Sequence, residues 1–411
     1  WQPEPPTPTE LGDHDVPVIS RYLSGKRIAL LVSGGIAAMK SPLLARELRK
    51  HGADVTAFVS EESLHYTTID TLEWSTNKPV ITKLTARSEH LSGDKSFDAY
   101  LVAPATYNTI NKFRYGIADN LITTTLASAL GKMENGKTKI IVVPTMHGSM
   151  HNQIFAESVI KLQVLGVNII PPRDAYGKHN IPEIDFLAIE TARILSKSPL
   201  KNVPVLVTGG PTPVPIDQIR RITTRFSGRL GILIAQELYV SGADVTLIHG
   251  ESYLKPPEYL PHVIAEDYSE YKKLVTNKLS EKNYKFAVFS AAVADYQPAE
   301  VYDGKIPSGQ ISKIDLLPTE KVIKEVRQKF PDLYMVTFKF EQNISHQELM
   351  KISHERLKDG YNAVIANRGE EQGGGDEQVA YLISKNQQEQ RLVTKQVIAE
   401  AIVKHLESQL N

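Results

Sequence analysis

The turns Ser33-Gly34-Gly35 and Gly209-Gly210 each follow a short apolar run and precede the same phrase in the chain. In the first copy it reads Ala45-Arg46-Glu47-Leu48 with Gly52-Ala53-Asp54-Val55-Thr56; in the second, Ala235-Gln236-Glu237-Leu238 with Gly242-Ala243-Asp244-Val245-Thr246. A glycine turn between strand and helix lets backbone N–H groups approach an anion, and the helix N-terminus adds a positive dipole end. The chemistry on offer is phosphate binding. Because the β-turn-α-β unit is written twice, two phosphate-bearing ligands are expected.

The elements that must hold these turns follow from hydrophobic period and turn residues. Strands are predicted over Ile28–Ser33, Asp54–Val59, Ala99–Ala103, Lys139–Val143 and Phe286–Ala291. Helices are predicted over Ala38–His51, Asn108–Leu130, Gln153–Leu165 and Glu183–Leu195. Alternation of this kind argues an α/β fold of two Rossmann-like domains, each with ligands at the strand C-termini. The expected division is a flexible leader over 1–24, a flavodoxin-like first domain over 25–196, a linker over 197–201 and a nucleotide-binding second domain over 202–411.

Composition narrows the possibilities. The 411 residues suffice for two or three domains, and 41% hydrophobic content supports a core in each. A net charge of zero argues against nucleic-acid or membrane partners. Cysteine is absent, which excludes disulfides, thiolate metal sites and a cysteine nucleophile. No apolar run approaches the ~20 residues of a membrane span, so a cytoplasmic protein is expected. A start on Trp1 suggests that more chain precedes it.

More specific are segments at successive predicted strand ends. Val32-Ser33-Gly34-Gly35-Ile36-Ala37-Ala38, Ala103-Pro104-Ala105-Thr106, Gly116-Ile117-Ala118-Asp119-Asn120-Leu121 and Pro144-Thr145-Met146-His147-Gly148-Ser149-Met150 occur in that order. Together they resemble the flavin-binding cysteine decarboxylases. The second half resembles the phosphopantothenate–cysteine ligases. That likeness rests on Gly209-Gly210-Pro211-Thr212 with Pro215-Ile216-Asp217, Phe226-Ser227-Gly228-Arg229-Leu230-Gly231, Ala291-Ala292-Val293-Ala294-Asp295-Tyr296, Gly304-Lys305-Ile306-Pro307-Ser308-Gly309 and Ile365-Ala366-Asn367. Over roughly 25–405 the chain is similar to the bifunctional coenzyme A biosynthesis family, in its archaeal form.

The resemblance implies an enzyme with two activities. The second domain would activate 4′-phosphopantothenate with CTP and Mg²⁺ or Mn²⁺, and cysteine would displace CMP. The first would decarboxylate the product to 4′-phosphopantetheine with FMN, which oxidises the substrate's thiol side and returns the electrons after carbon dioxide leaves. It also implies a homo-oligomer, a dodecamer built from flavoprotein trimers and ligase dimers. Two alternatives are an enzyme with one altered half and a flavin-binding regulatory protein without turnover.

The resemblance also assigns roles. Ser33, Gly34, Gly35 and Ser60 would hold the flavin phosphate, with Thr106 and Asn120 beside the flavin. His90 would serve as base or hydrogen-bond partner in thiol oxidation. Met146, His147 and Lys178 would meet the substrate, His147 standing where bacterial members carry a carboxylate-binding asparagine. Those members also have a cysteine in a flap that here reads Asp174-Ala175-Tyr176-Gly177-Lys178. In the ligase, Gly210, Ser227 and Gly228 would form phosphate turns, Asp295 would hold nucleotide or metal, and Lys305 would stabilise the phosphorus centre. Lys339 and Lys358 would bind CTP, with Asn367 beside it. Thr224 replaces the asparagine associated with the acyl-cytidylate, and neighbouring Arg225 is a compensating donor. Plain alternatives remain: a solvated charge for each lysine, a helix cap for Asp295, a surface residue for His90. Gly373-Gly374-Gly375 is expected as a mobile loop without chemistry.

Overall fold

The structure, a computed structural model, describes residues 3–5, 7–91, 96–309, 313–371, 373, 377–385 and 387–410. It divides into two compact units, Trp1–Leu195 and Ser196–Asn411. Gly374 and Gly375 of the expected loop lie outside the described residues.

In the first unit the strands are β1 (Arg27–Val32), β2 (Asp54–Val59), β3 (Ala99–Ala105), β4 (Lys139–Pro144), β5 (Met146–His147), β6 (Asn168–Ile169), β7 (Arg173–Ala175) and β8 (Lys178–Asn180). Five of them form a parallel sheet in the order β2-β1-β3-β4-β6. Its strands are apolar runs because both faces are covered: every residue of β3 is buried, and all but the first of β1. The helices are α1 (Ser41–Lys50), α2 (Ile69–Thr76), α3 (Tyr107–Arg114), α4 (Leu121–Glu134), α5 (Gln153–Val164) and α6 (Ile184–Leu195). Helix α1 packs with α2 and α6, while α3, α4 and α5 bury Ile110, Leu126 and Leu162 against Leu31, Tyr100 and Val142.

Two sequence expectations need correction here. The helix predicted over Asn108–Leu130 is two helices. Gly116 adopts a left-handed φ of 68° between them, and Asn120 restarts the chain by accepting from the Thr123 amide at 3.1 Å. The leader is anchored over its second part: Val16 and Leu23 are buried, and the amides of Ile19 and Leu23 donate to the carbonyls of Lys50 and His51 at 2.9 and 2.8 Å. Apolar side chains and the open C-terminus of α1 draw this segment onto the sheet unit.

The second unit contains β9 (Pro204–Gly209), β10 (Val214–Pro215), β11 (Arg221–Ile222), β12 (Asp244–Gly250), β13 (His262–Ala265), β14 (Phe286–Phe289), β15 (Tyr296–Pro298), β16 (Leu316–Pro318), β17 (Tyr334–Glu341), β18 (Ala363–Arg368), β19 (Val379–Ser384) and β20 (Gln387–Val393). Eight form one sheet in the order β13-β12-β9-β14-β17-β18-β19-β20, with β19 and β20 antiparallel to their neighbours. Its helices are α7 (Arg229–Val240), α8 (Tyr268–Glu281), α9 (Val322–Lys329), α10 (His346–Lys358) and α11 (Lys395–Glu407). Helices α7 and α11 share one apolar cluster with the sheet, and α8 and α9 share another. The expected linker is instead docked. Leu200 is fully buried in that first cluster, and Ser198 Oγ donates to Glu407 at 2.5 Å. Among the described residues no helix is long and apolar enough to cross a membrane.

Candidate active sites

Three adjacent strand ends of the first unit bring the expected flavin residues together. Ser33 to Gly35 follow β1, Ser60 follows β2, and Thr106 follows β3. Ser33 is buried, and its hydroxyl donates to the Pro104 carbonyl at 2.8 Å while accepting from the Thr106 amide at 3.1 Å. A hydroxyl has one proton to donate, so Ser33 locks the loops together and is not a side-chain phosphate donor. Ser60 accepts from the Ser63 amide at 3.3 Å and keeps its own proton. Gly34 leaves a cradle that a Cβ would fill, 2.5 Å from Glu62 Cβ. Thr106 caps α3 and Asn120 caps α4, so their polar atoms are partly committed to helix ends. His90 sits half-buried on a single helical turn, and among the described residues its buried Nδ1 has no hydrogen-bond partner. The Cβ-free turn at the end of β1 fits a phosphate-bearing cofactor, and His90 stands apart from it on the turn that packs with α4.

Past β4 the chain enters a three-stranded antiparallel sheet, β5-β8-β7. Met146 pairs with His179, and His147 with Lys178. His147 is exposed, and its Nδ1 accepts from the Ser149 amide at 3.2 Å; in the neutral ring the proton is therefore on Nε2, facing outward as a donor. Tyr176, at the turn between β7 and β8, is 93% exposed with φ 55°. Sequence reasoning missed a chain of side chains in this flap. Asp174 meets His179 Nδ1 at 2.5 Å, and His179 Nε2 meets His151 Nδ1 at 2.6 Å. His151 was visible in the sequence, but its partner His179 is 28 residues further on.

The second unit holds a cleft of about 950 Å³ at the C-terminal edge of its sheet. Gly210, Thr224, Arg225, Ser227, Gly228, Asp295, Lys339 and Asn367 all line it. Gly228, at φ 80°, starts α7, whose first amides face the cleft. A Cβ there would lie 2.2 Å from Nε2 of His249, which is fully buried beneath the turn. Burial pulls the His249 pKa below its ordinary value, outweighing the Gly250 and Gly228 backbone groups. Thr224 Oγ1 is buried without a partner, as is Thr337 Oγ1 at the cleft floor.

Several expected contacts fall elsewhere. Lys358 ends α10, which leads into β18 at the opposite edge of the sheet, and it is exposed and absent from the cleft wall. Two residues rotate the chain by about 200° around the helix, so Arg356 and Lys358 stand on opposite faces of α10. Arg356 takes that place: its guanidinium donates to the Phe338 carbonyl at 3.0 Å and lines the cleft. Lys305 is exposed and not on the cleft wall. Its loop is held by buried Asp217, which accepts from the amides of Ile306, Ile219 and Arg220 at 3.0, 2.8 and 2.6 Å. Burial alone would raise the Asp217 pKa, but these amides and the Arg220 guanidinium bring it to about 2. Asp295 pairs with Lys321, and no group of three metal-ligating side chains occurs among the described residues. Asp295 is thus one carboxylate beside a cation. Lys339 pairs with Glu341 on the cleft wall.

Comparison with known proteins assigns both units. The model described as Flavoprotein matches residues 19–193, and that described as DNA/pantothenate metabolism flavoprotein C-terminal domain matches residues 200–410. A coenzyme A biosynthesis bifunctional protein of Thermococcus kodakarensis is 35% identical over 398 residues, covering 95% of this chain and 97% of its own. That of Methanocaldococcus jannaschii is 32% identical over 391 residues, covering 93% and 94%. The crystal structure of the DNA/pantothenate metabolism flavoprotein from Streptococcus pneumoniae is 25% identical, with a TM-score of 0.45, over 50% of this chain and 99% of that one. With full-length relatives above 30% identity and both domain models in order, the chain belongs to the bifunctional coenzyme A biosynthesis family, a flavoprotein with decarboxylase and ligase activities.

Proposed function

We propose that the second unit joins cysteine to 4′-phosphopantothenate at the expense of CTP, and that the first converts 4′-phosphopantothenoylcysteine to 4′-phosphopantetheine with FMN. The observation that carries the ligase reading is the cleft in which the Ser227-Gly228 turn and the start of α7 face Lys339, Arg356 and Asn367. Backbone amides and cations on one wall suit a triphosphate, which brings Mg²⁺ with it. Thr224, with its unpartnered hydroxyl, offers a hydrogen bond to the activated acyl group. Lys305 stands outside the cleft wall on the loop that Asp217 anchors, and its action on charge developing at phosphorus requires that loop to reach the bound triphosphate. Flavoprotein trimers and ligase dimers forming a dodecamer would complete the assembly.

In the first unit, Gly34, Gly35, Ser60 and Thr106 hold FMN, with Asn120 beside it. Bound FMN supplies a two-electron acceptor that takes up and returns the electrons of thiol oxidation. His90 accepts the thiol proton through its ring, and His147 Nε2 donates to the substrate carboxylate while Met146 and Lys178 bound its site. Purified full-length protein given 4′-phosphopantothenate, cysteine, Mg²⁺ and CTP is expected to form 4′-phosphopantetheine by mass spectrometry. His90→Asn is expected to stop the route at the ligated intermediate while retaining flavin. Continued decarboxylation by that variant removes His90 from the mechanism, and equal rates with ATP remove the CTP assignment.

A further inference from the structure

Decarboxylation breaks a C–C bond whose electron pair stays on carbon, releases carbon dioxide, and replaces the lost bond by C–H. One proton is consumed per turnover, and the net change is redox-neutral. Some group at the substrate must therefore deliver a proton near neutral pH, the range in which an imidazole works best. Cysteine is absent from this chain. The flap where the substrate carboxylate is placed instead contains a carboxylate and two imidazoles in line, Asp174, His179 and His151, with contacts of 2.5 and 2.6 Å.

The order of these groups dictates their protonation. An ionised carboxylate only accepts, so His179 carries its proton on Nδ1 and presents a bare Nε2 to His151. His151 then donates through Nδ1, and an added proton sits on its Nε2. That nitrogen makes no hydrogen bond among the described residues. Release of the Nε2 proton leaves His151 neutral with its Nδ1–H···His179 bond unchanged, so no rearrangement accompanies the transfer. Both rings are fixed against Phe155, itself 6% exposed, at centroid distances of 5.1 Å for His151 and 6.4 Å for His179. Met146 is paired with His179 in the sheet register, which ties the relay to the strand that carries Met146 and His147. The charged or titratable groups around the relay include His147 and Lys178 on the same sheet, Tyr107, which stacks on Phe155 and donates to Asn152, and the Arg173–Glu183 ion pair at the far end of β7.

We infer that Asp174, His179 and His151 form a proton relay in which His151 Nε2 delivers the proton to the carbon that loses carbon dioxide. His151 is the catalytic residue; His179 and Asp174 are positioning residues that set its tautomer and stabilise its charged form. The inference rests on the decarboxylase reading of Met146 and His147 given above.

The test uses the flavin-loaded full chain supplied directly with 4′-phosphopantothenoylcysteine, with carbon dioxide release followed from pH 5.5 to 9 (a working range of about two units around neutrality). His151→Gly is expected to slow release by about 10²- to 10³-fold, retain flavin and ligase rate, and regain activity when imidazole is added. Asp174→Asn is expected to slow it about tenfold and to move the pH profile, because the charged imidazole loses its carboxylate. A His151→Gly protein that decarboxylates at the wild-type rate, or a slow one that imidazole does not restore, overturns the relay alone. A wild-type protein that ligates but never releases carbon dioxide overturns the decarboxylase reading and the relay with it.

Discussion

The two units begin with the same β-turn-α-β phrase and use it differently. In the first, Ser33 to Gly35 pass through one short helical turn into α1, and loops after β1, β2 and β3 close around the turn. In the second, residues 211–228 separate Gly210 from α7, including the β10–β11 hairpin, so a second turn at Ser227-Gly228 takes over the helix start. A buried imidazole fills the space beneath that second turn, whereas in the first unit a serine hydroxyl staples two loops. A repeated phrase thus reproduces a strand and its helix, while the site depends on what is inserted between them and what packs below.

The sharpest break between the two turns is Gly228→Ala. A left-handed φ and a Cβ 2.2 Å from His249 Nε2 predict about 2–4 kcal/mol of lost stability in the second unit. Ligase rate should fall by at least about 100-fold with decarboxylation of supplied substrate retained; a near-normal ligase would show that the turn tolerates a side chain. The opposite probe is Ser33→Ala, which leaves the Thr106 amide without its acceptor and should cost about 1–2 kcal/mol. Flavin should be lost on dilution while ligation continues; unchanged flavin affinity would mean that the loops hold without the staple.

Acid should separate the units as well. His249 is held below its ordinary 6.5 in the folded state, so the unfolded chain binds more protons below that value. Stability of the second unit should therefore be full above pH 6.5 and decline as pH falls from there, by up to about 1.4 kcal/mol per pH unit from this one group. Urea midpoints measured at pH 7.5 and 5.5 (about one unit either side of that value) in wild type and His249→Gln test it, and an equal shift in both proteins would remove His249 as the cause. Asp217 acts in the same direction in a more acidic window. Its depressed value of about 2 gives stability that is complete above the ordinary carboxylate range and is lost as pH falls towards 2. Asp217→Asn should loosen the Lys305 loop and lower ligase kcat about tenfold with little change in the KM for CTP, and a change confined to KM would place the loop at nucleotide binding instead.

The smallest expected effects concern two lysines that look equivalent in the sequence. Lys339→Ala should raise the KM for CTP several-fold, whereas Lys358→Ala should leave it within about twofold. Equal effects would mean that the C-terminal end of α10 meets nucleotide in an assembly.

By itself, the order of residues determined the parallel sheet of the first unit and the parallel part of the second, the glycine turns and most strand-end motifs, but not the antiparallel edge of β19 and β20. Apolar runs such as Ile28–Val32 and Ala99–Ala105 can only be strands covered on both faces, and glycine is required where backbone must approach an anion. Even the family was readable, because its motifs stand at successive strand ends. Only the tertiary structure decided which of those residues share a site. Lys358 misses the cleft that Arg356 reaches because two residues turn the chain by about 200° around α10, so that one side chain meets the sheet and the other meets solvent. His249 lies under Gly228 because β12 pairs with β9, and His151 meets His179, 28 residues further along the chain, because β5 just ahead of it pairs with β8. Local pattern encodes burial and turns; contacts between distant segments are set by strand order, which no local pattern contains.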